Sequence, residues 1–184
     1  MYFTLSDLVL DITQNAAESG ASLVELDIQE TDREFRFIIK DNGRGMDKFE
    51  LERAIDPFAN DGWEDSPKKV GLGIPFLIQT ALQSGGGYDL HSEKDKGTIV
   101  TAWFDVHNAE TPSAGDLPGV FRTILLFESP REIIIRRSRR DGDGELSYTV
   151  CKSELAGALG DLEDAGSMIL LDRYLKSLED QEER

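Results

Sequence analysis

Between Val24 and Asp41, apolar and polar residues alternate twice. Val24, Leu26 and Ile28 alternate with Glu25, Asp27 and Gln29; after a polar turn, Phe35, Phe37 and Ile39 alternate with Arg36, Ile38 and Lys40. A period of two puts successive side chains on opposite faces of a strand, so this stretch predicts a β-hairpin with one apolar face to cover. Asp41 keeps the parity of Phe35, Phe37 and Ile39, which points its carboxylate to the covered side just as the strand enters Asn42-Gly43-Arg44-Gly45-Met46. A carboxylate there needs a hydrogen-bond donor. One source is local, since an Asp heading a glycine turn can bond its own backbone; the other is a ligand.

The cover for the hairpin is helical. A periodic segment runs from about Asp7 to Ser19, with Ser6 as the expected N-cap, Asp7 in the first turn and Gly20 as the stop. Leu8, Ile12 and Ala16 share one side of it, and Asp11, Asn15 and Glu18 another. A second glycine cluster, Gly71-Leu72-Gly73, opens a helical run from Ile74 to about Gln83, with Pro75 in its first turn. Backbone N–H groups at a helix start, approached closely past glycines, form a phosphate site. The cluster lacks both the Gly-x-Gly-x-x-Gly of dinucleotide sites and the Gly-Lys-Ser/Thr ending of a P-loop, so alone it is a weak signal.

Two further strands follow, Tyr88 to Glu93 and Gly97 to Val106. Thr98 shares parity with Val100, Ala102, Phe104 and Val106, so its hydroxyl is expected on the same side as Asp41. Ile99, Thr101 and Trp103 give the strand a second semi-apolar face, which either the C-terminal half or a second protomer, in a homodimer, would cover.

These motifs in this order resemble the GHKL superfamily, the ATP-binding fold shared by DNA gyrase, the heat-shock chaperone ATPase, sensor histidine kinases and the mismatch-repair ATPase. Asp11-Ile12-Thr13-Gln14-Asn15-Ala16 resembles the helix motif carrying an acidic base and, four residues on, an Mg²⁺-binding Asn. Asp41-Asn42-Gly43-Arg44-Gly45-Met46 resembles the Asp-x-Gly-x-Gly motif, whose Asp accepts from the adenine amino group. Asp56-Pro57-Phe58 resembles the segment before the ATP lid, and Gly71-Leu72-Gly73 the glycine pair where the lid rejoins the phosphate-binding helix. Gly97-Thr98 resembles the Gly-Thr whose hydroxyl supports the adenine-binding Asp.

The resemblance covers residues 6 to 106 and implies an α+β fold: a two-layer α/β sandwich with a mixed, mostly antiparallel sheet. It implies ATP and Mg²⁺ as ligands, Asp11 as catalytic base and Asn15 as metal ligand. Asn15, Asp41, Gly43, Gly45, Met46, Phe58, Lys68, Lys69, Gly71, Leu72, Gly73 and Thr98 are the expected nucleotide contacts. The segment from Ala59 to Val70 has the polarity of a mobile lid and carries Lys68 and Lys69 beside the phosphate site.

Sensor kinases usually have Asn at the position of Asp11 and a basic residue where this chain has Glu18. Both departures favour the gyrase and mismatch-repair branch, in which an acidic residue activates the attacking water. That branch normally carries Glu, and Asp is shorter by one carbon, about 1.5 Å. The expectation is a slow ATPase acting as a nucleotide-dependent switch. The alternatives are a protein serine kinase resembling the anti-sigma-factor kinases and a non-catalytic ATP sensor.

Composition narrows the remainder. Twenty Lys plus Arg against 36 Asp plus Glu give a net charge of -16, which repels a phosphate backbone and argues against nucleic-acid binding. The basic cluster Arg136-Arg137-Ser138-Arg139-Arg140 runs into Asp141-Gly142-Asp143-Gly144 and reads as a solvated hairpin tip. One cysteine, Cys151, excludes an internal disulfide and reads as a strand residue. With no leader-like start and no apolar run of about 18 residues, a cytoplasmic protein without a membrane partner is expected. A protein partner of unknown identity fits a switch.

His107-Asn108-Ala109-Glu110-Thr111-Pro112 echoes the His-to-Pro spacing of a phosphoacceptor box, but it follows a strand and lacks the helical hairpin such a box uses. The sequence divides into an ATP-binding domain (1–107), a linker (108–118) rich in turn formers, and a small α+β region of unknown role (119–184). In the last, strands are expected at Val120 to Phe127, Glu132 to Arg137 and Glu145 to Cys151. Helices are expected at Ser153 to Leu159 and Ser167 to Leu178.

Overall fold

The computed structural model describes residues 3–58, 72–142 and 144–180. Among these the elements run α1 (Leu5–Glu18), β1 (Leu23–Thr31), β2 (Glu34–Asp41), α2 (Lys48–Ile55), α3 (Gly73–Gln83), β3 (Gly87–Glu93) and β4 (Gly97–Asp105). They continue with α4 (Leu117–Leu125), β5 (Glu132–Asp141), β6 (Gly144–Cys151), α5 (Lys152–Leu159) and α6 (Ala165–Glu179). The six strands form one mixed sheet in the order β3-β4-β2-β1-β5-β6, in which only β1 and β5 are parallel neighbours. The fold is α+β.

The alternation in β1 and β2 becomes burial: Val24, Leu26, Ile28, Phe35, Phe37 and Ile39 are all buried. Leu8, Val9, Ile12 and Ala16 of α1 share their core, together with Leu77 of α3, Phe121 of α4 and Leu171 of α6. Burying side chains of this size stabilises by about 1.5–3 kcal/mol each, which fixes α1 on the sheet and hence the exposed line of Asp11 and Asn15.

Helix α1 begins earlier than its sequence suggests. Thr4, not Ser6, is the N-cap: its hydroxyl accepts from Asp7 N while the Asp7 carboxylate accepts from Thr4 N. Ser6 is itself buried inside the first turn. Residues 113 and 114 secure the same end, since Leu5 N and Ser6 N donate to Ser113 O and Ala114 O. These are orphan helix donors that would otherwise need water.

The C-terminal half joins the same sheet. β5 pairs with β1 from Leu23 and Glu132 to Thr31 and Arg140, and β6 closes the edge as a hairpin. Val120 to Phe127 is not a strand. Val120 to Leu125 belongs to α4, whose N-cap Asp116 accepts from Gly119 N. The β-branched and aromatic residues that suggest a strand are overridden by burial at Leu117, Val120, Phe121, Ile124 and Leu125, an i, i+3, i+4, i+7, i+8 pattern.

Two other expectations change. Since α4 and α6 pack on the α1 side, the described residues of the C-terminal half do not cover Ile99, Thr101 and Trp103. Ile99 is 37% exposed, and Arg36 lies 5.3 Å over the Trp103 ring. The arginine cluster is not a solvated tip either. Arg136 donates to Glu25 and Asp27, Arg137 to Glu30 and Glu179, Arg139 pairs with Glu179, and Arg140 with Glu145.

Candidate functional site

Helix α1 carries one end of the site. Asp11 and Asn15 are both exposed, one turn apart. Although the residue as a whole is exposed, partial desolvation of its carboxyl pushes the Asp11 pKa up, and the nearby charge of Glu18 adds to that. Facing them is Gly73, the first residue of α3. A Cβ there would lie 2.3 Å from Asp11 Oδ2 and 3.4 Å from Asn15 Nδ2. The missing side chain is what lets the start of α3 meet the acid and the amide. Among the described residues no side chain caps that helix start, where the first N–H groups of a helix favour an anionic acceptor.

The other end is Asp41, the last residue of β2, 6% exposed and paired with Val24 on one side and Thr98 on the other. Its Oδ1 accepts from Gly43 N at 2.8 Å and from Ser19 Oγ at 3.1 Å. Burial raises its pKa, while hydrogen bonds from Gly43, Ser19 and Thr98 oppose the rise. Of the two donors expected for this carboxylate, the glycine turn supplies one.

Two glycines in the loop are spatial requirements. A Cβ on Gly43 would fall 1.8 Å from Ser19 Oγ, and Gly45, at φ +58, would place one 1.9 Å from Glu93 O. The loop is closed on β3 by Met46 N donating to Ser92 Oγ at 2.8 Å.

Thr98 is placed opposite Asp41, but its hydroxyl is engaged elsewhere. It lies 2.8 Å from Ser92 Oγ, the residue directly across on β3. The hydroxyl on Asp41 belongs to Ser19, which sequence reasoning missed. Its signal was its spacing, since residues 11, 15 and 19 are each one turn apart on a helix.

Phe58 is 76% exposed and its N–H donates to Asp56 Oδ1. Leu72 is exposed at the entrance to α3. Lys68, Lys69, Gly71 and the lid expected from Ala59 to Val70 lie outside the described residues. Among the described residues no group of three or more His, Cys, Asp or Glu is placed to hold a metal ion, and no helix is long and apolar enough to cross a membrane. A shallow cleft among Arg33, Glu34, Gly85, Gly86, Trp103, Asp105 and His107 sits at the far end of β4 from Thr98 and gathers none of the motif residues. His107 lies on its exposed rim, and His91 is exposed beside Asp89.

The spacing along α1 makes the site one unit. From residue 11 to residue 19 a helix rises about 12 Å, so one rigid element joins an acid-and-amide end to a buried-carboxylate end. Residues 3–108, more than half of the chain, match the family model of the histidine kinase-, DNA gyrase B- and HSP90-like ATPases, and the chain belongs to that ATP-binding family.

Proposed function

We propose that the chain is a slow Mg-ATPase working as a nucleotide-dependent switch. The observation that carries this reading is the convergence of Asp11 and Asn15 on Gly73 at the start of α3. In this reading Asp41 accepts from the adenine amino group. Guanine presents a carbonyl oxygen at that edge, and two acceptors would then face each other in a buried place. The phosphates lie at the start of α3, where the N–H groups and the helix dipole favour negative charge.

The donor set fits a magnesium ion delivered with nucleotide. One neutral amide, Asn15, is a sparse anchor, in keeping with an ion that takes most of its six ligands from phosphate and water. When bound, the ion neutralises charge that develops on the phosphates. Asp11, with its raised pKa, holds a proton more readily than an ordinary aspartate and serves as the base that orients and deprotonates water. Its reach is about 1.5 Å less than that of a glutamate, which makes the step slow. The C-terminal strands and helices share a core with the ATP-binding elements and are the part of the chain that reads the nucleotide state.

The test is ATP binding and phosphate release, with Mg²⁺, for wild type, Asp41→Asn and Asp11→Asn. The reading requires binding and release by wild type, ATP binding weakened at least about tenfold in Asp41→Asn, and binding without release by Asp11→Asn. Binding without release by wild type, with label appearing on a second protein, would instead indicate the serine-kinase alternative. Binding with neither would indicate a sensor.

A further inference from the structure

We propose that Ser19 is a positioning residue for base recognition: its hydroxyl holds the Asp41 carboxylate in its ionised, accepting form and ties it to the end of the helix that carries Asp11 and Asn15. The proposal rests on the reading of Asp41 as the acceptor for adenine.

Ser19 is the C-cap of α1, and it grips the glycine loop at three points. Its carbonyl accepts from Arg44 N at 3.0 Å, its hydroxyl lies 3.1 Å from Asp41 Oδ1, and the same hydroxyl occupies the space a Gly43 side chain would need. The hydroxyl has one proton and two acceptors, since Ala16 O is 2.7 Å away. The bond to an ionised carboxylate is charge-assisted and stronger than any bond the hydroxyl makes with a protonated carboxyl. Ser19 therefore favours the ionised form of Asp41.

No charged side chain does this work. β1 presents Val24 to Asp41 and β4 presents Thr98, whose hydroxyl is committed to Ser92. The loop presents Gly43 and Arg44, and the Arg44 guanidinium is turned to Glu50 on α2. The shift of Asp41 has burial as its largest cause and hydrogen bonds as the opposing ones. Removing the Ser19 bond leaves burial less opposed, so the Asp41 pKa must rise further. A protonated Asp41 presents a donor toward an amino group and cannot serve adenine.

The experiment has two readouts on wild type, Ser19→Ala and Ser19→Thr. The first is the titration of the Asp41 carboxyl carbon by NMR in ligand-free protein. The second is Mg-ATP affinity across the acid range. Ser19→Ala is expected to raise the Asp41 pKa and to weaken ATP binding about threefold to tenfold on the acid side, the size of one ordinary net hydrogen bond. The loss should shrink as pH rises, and Ser19→Thr, which keeps the hydroxyl, should restore both readouts. Ser19→Gly, unstrained at a helix C-cap, is the second hydroxyl-free variant if Ser19→Ala does not fold. An Asp41 titration identical in wild type and hydroxyl-free variants overturns the proposal alone. Failure of wild type to bind ATP overturns the adenine reading and, with it, the recognition half of the proposal.

Discussion

Gly73 at the start of α3 lies against Asp11 of α1, so closely that a Cβ would come within 2.3 Å of the Asp11 carboxylate. The obstructing atom is the far end of a side chain that can swing away. Stability should therefore hardly suffer from Gly73→Ala, and a helical alanine offsets about 1 kcal/mol of glycine's backbone entropy. What suffers is the position of Asp11. Gly73→Ala is expected to melt within a few degrees of wild type while phosphate release falls about tenfold or more. Calorimetry beside a phosphate-release assay checks this; unchanged release would mean that Asp11 need not sit where Gly73 leaves room.

The pH dependence of turnover follows from Asp11. Burial and then Glu18 raise its pKa, and a base must be ionised to act, so activity should fall as pH drops through a value above the ordinary aspartate range. Glu18→Gln removes the like charge and should move that acid limb to lower pH. The stability consequence has the opposite sense. An acid whose folded pKa is raised contributes stability below its unfolded pKa, and that contribution is lost as pH rises through the folded value. At neutral pH ionised Asp11 is a burden on folding, so Asp11→Asn should be at least as stable as wild type while losing turnover. An acid limb that stays put in Glu18→Gln would show that Glu18 does not tune the base.

Substitution at Asp41 separates base choice from folding. Asn is close to isosteric, and its carbonyl oxygen can still accept from Gly43 N and Ser19 Oγ as Oδ1 does. Its amide hydrogens, however, meet the adenine amino group as donor against donor. Asp41→Asn should fold, lose ATP affinity at least about tenfold, and bind GTP better relative to ATP than wild type does. Competition of both nucleotides against one fluorescent analogue measures the ratio. Equal loss for both nucleotides would mean that the carboxylate supports the loop without reading the base.

The sequence carried the sandwich because its signals were local: a period of two in β1 and β2, a period near four in α1 and α3, and glycines where chains approach closely. It hid what depends on partners far along the chain. Val120 and Ile124 favour strands by composition, and only their spacing with Phe121 and Leu125 reveals α4. The parallel pairing of β1 with β5 joins residues about a hundred positions apart, and nothing in either strand announces it. Thr98 was placed on the correct side by parity, yet Ser92, directly across the ladder, holds its hydroxyl. Ser19 went unnoticed because a serine before a helix-ending glycine reads first as a cap.

Arg137 shows the same limit and supplies a last test. Its neighbours in sequence are arginines, so it reads as solvated, yet it is 2% exposed on the helix side of β5. Its guanidinium donates to Glu30 of β1, to Glu179 of α6 at 3.2 Å and to Ser138 O at 2.9 Å. The Tyr148 hydroxyl also donates to Glu179, and burial together with that carboxylate drives the phenol pKa far up. One cation thus joins β1, β5, β6 and α6. Truncating it removes the cation from Glu30 and leaves Glu179 to Arg139 and Tyr148, and Arg137→Ala is expected to cost about 3 kcal/mol. Arg140 and Glu145 form an exposed pair, and Arg140→Ala should cost no more than about 1 kcal/mol. The double variant Arg137→Met with Glu179→Gln removes charge from both sides and should recover part of the loss. Urea unfolding of the four proteins gives the differences; equal costs for Arg137→Ala and Arg140→Ala would mean that the network does not bind α6 to the sheet.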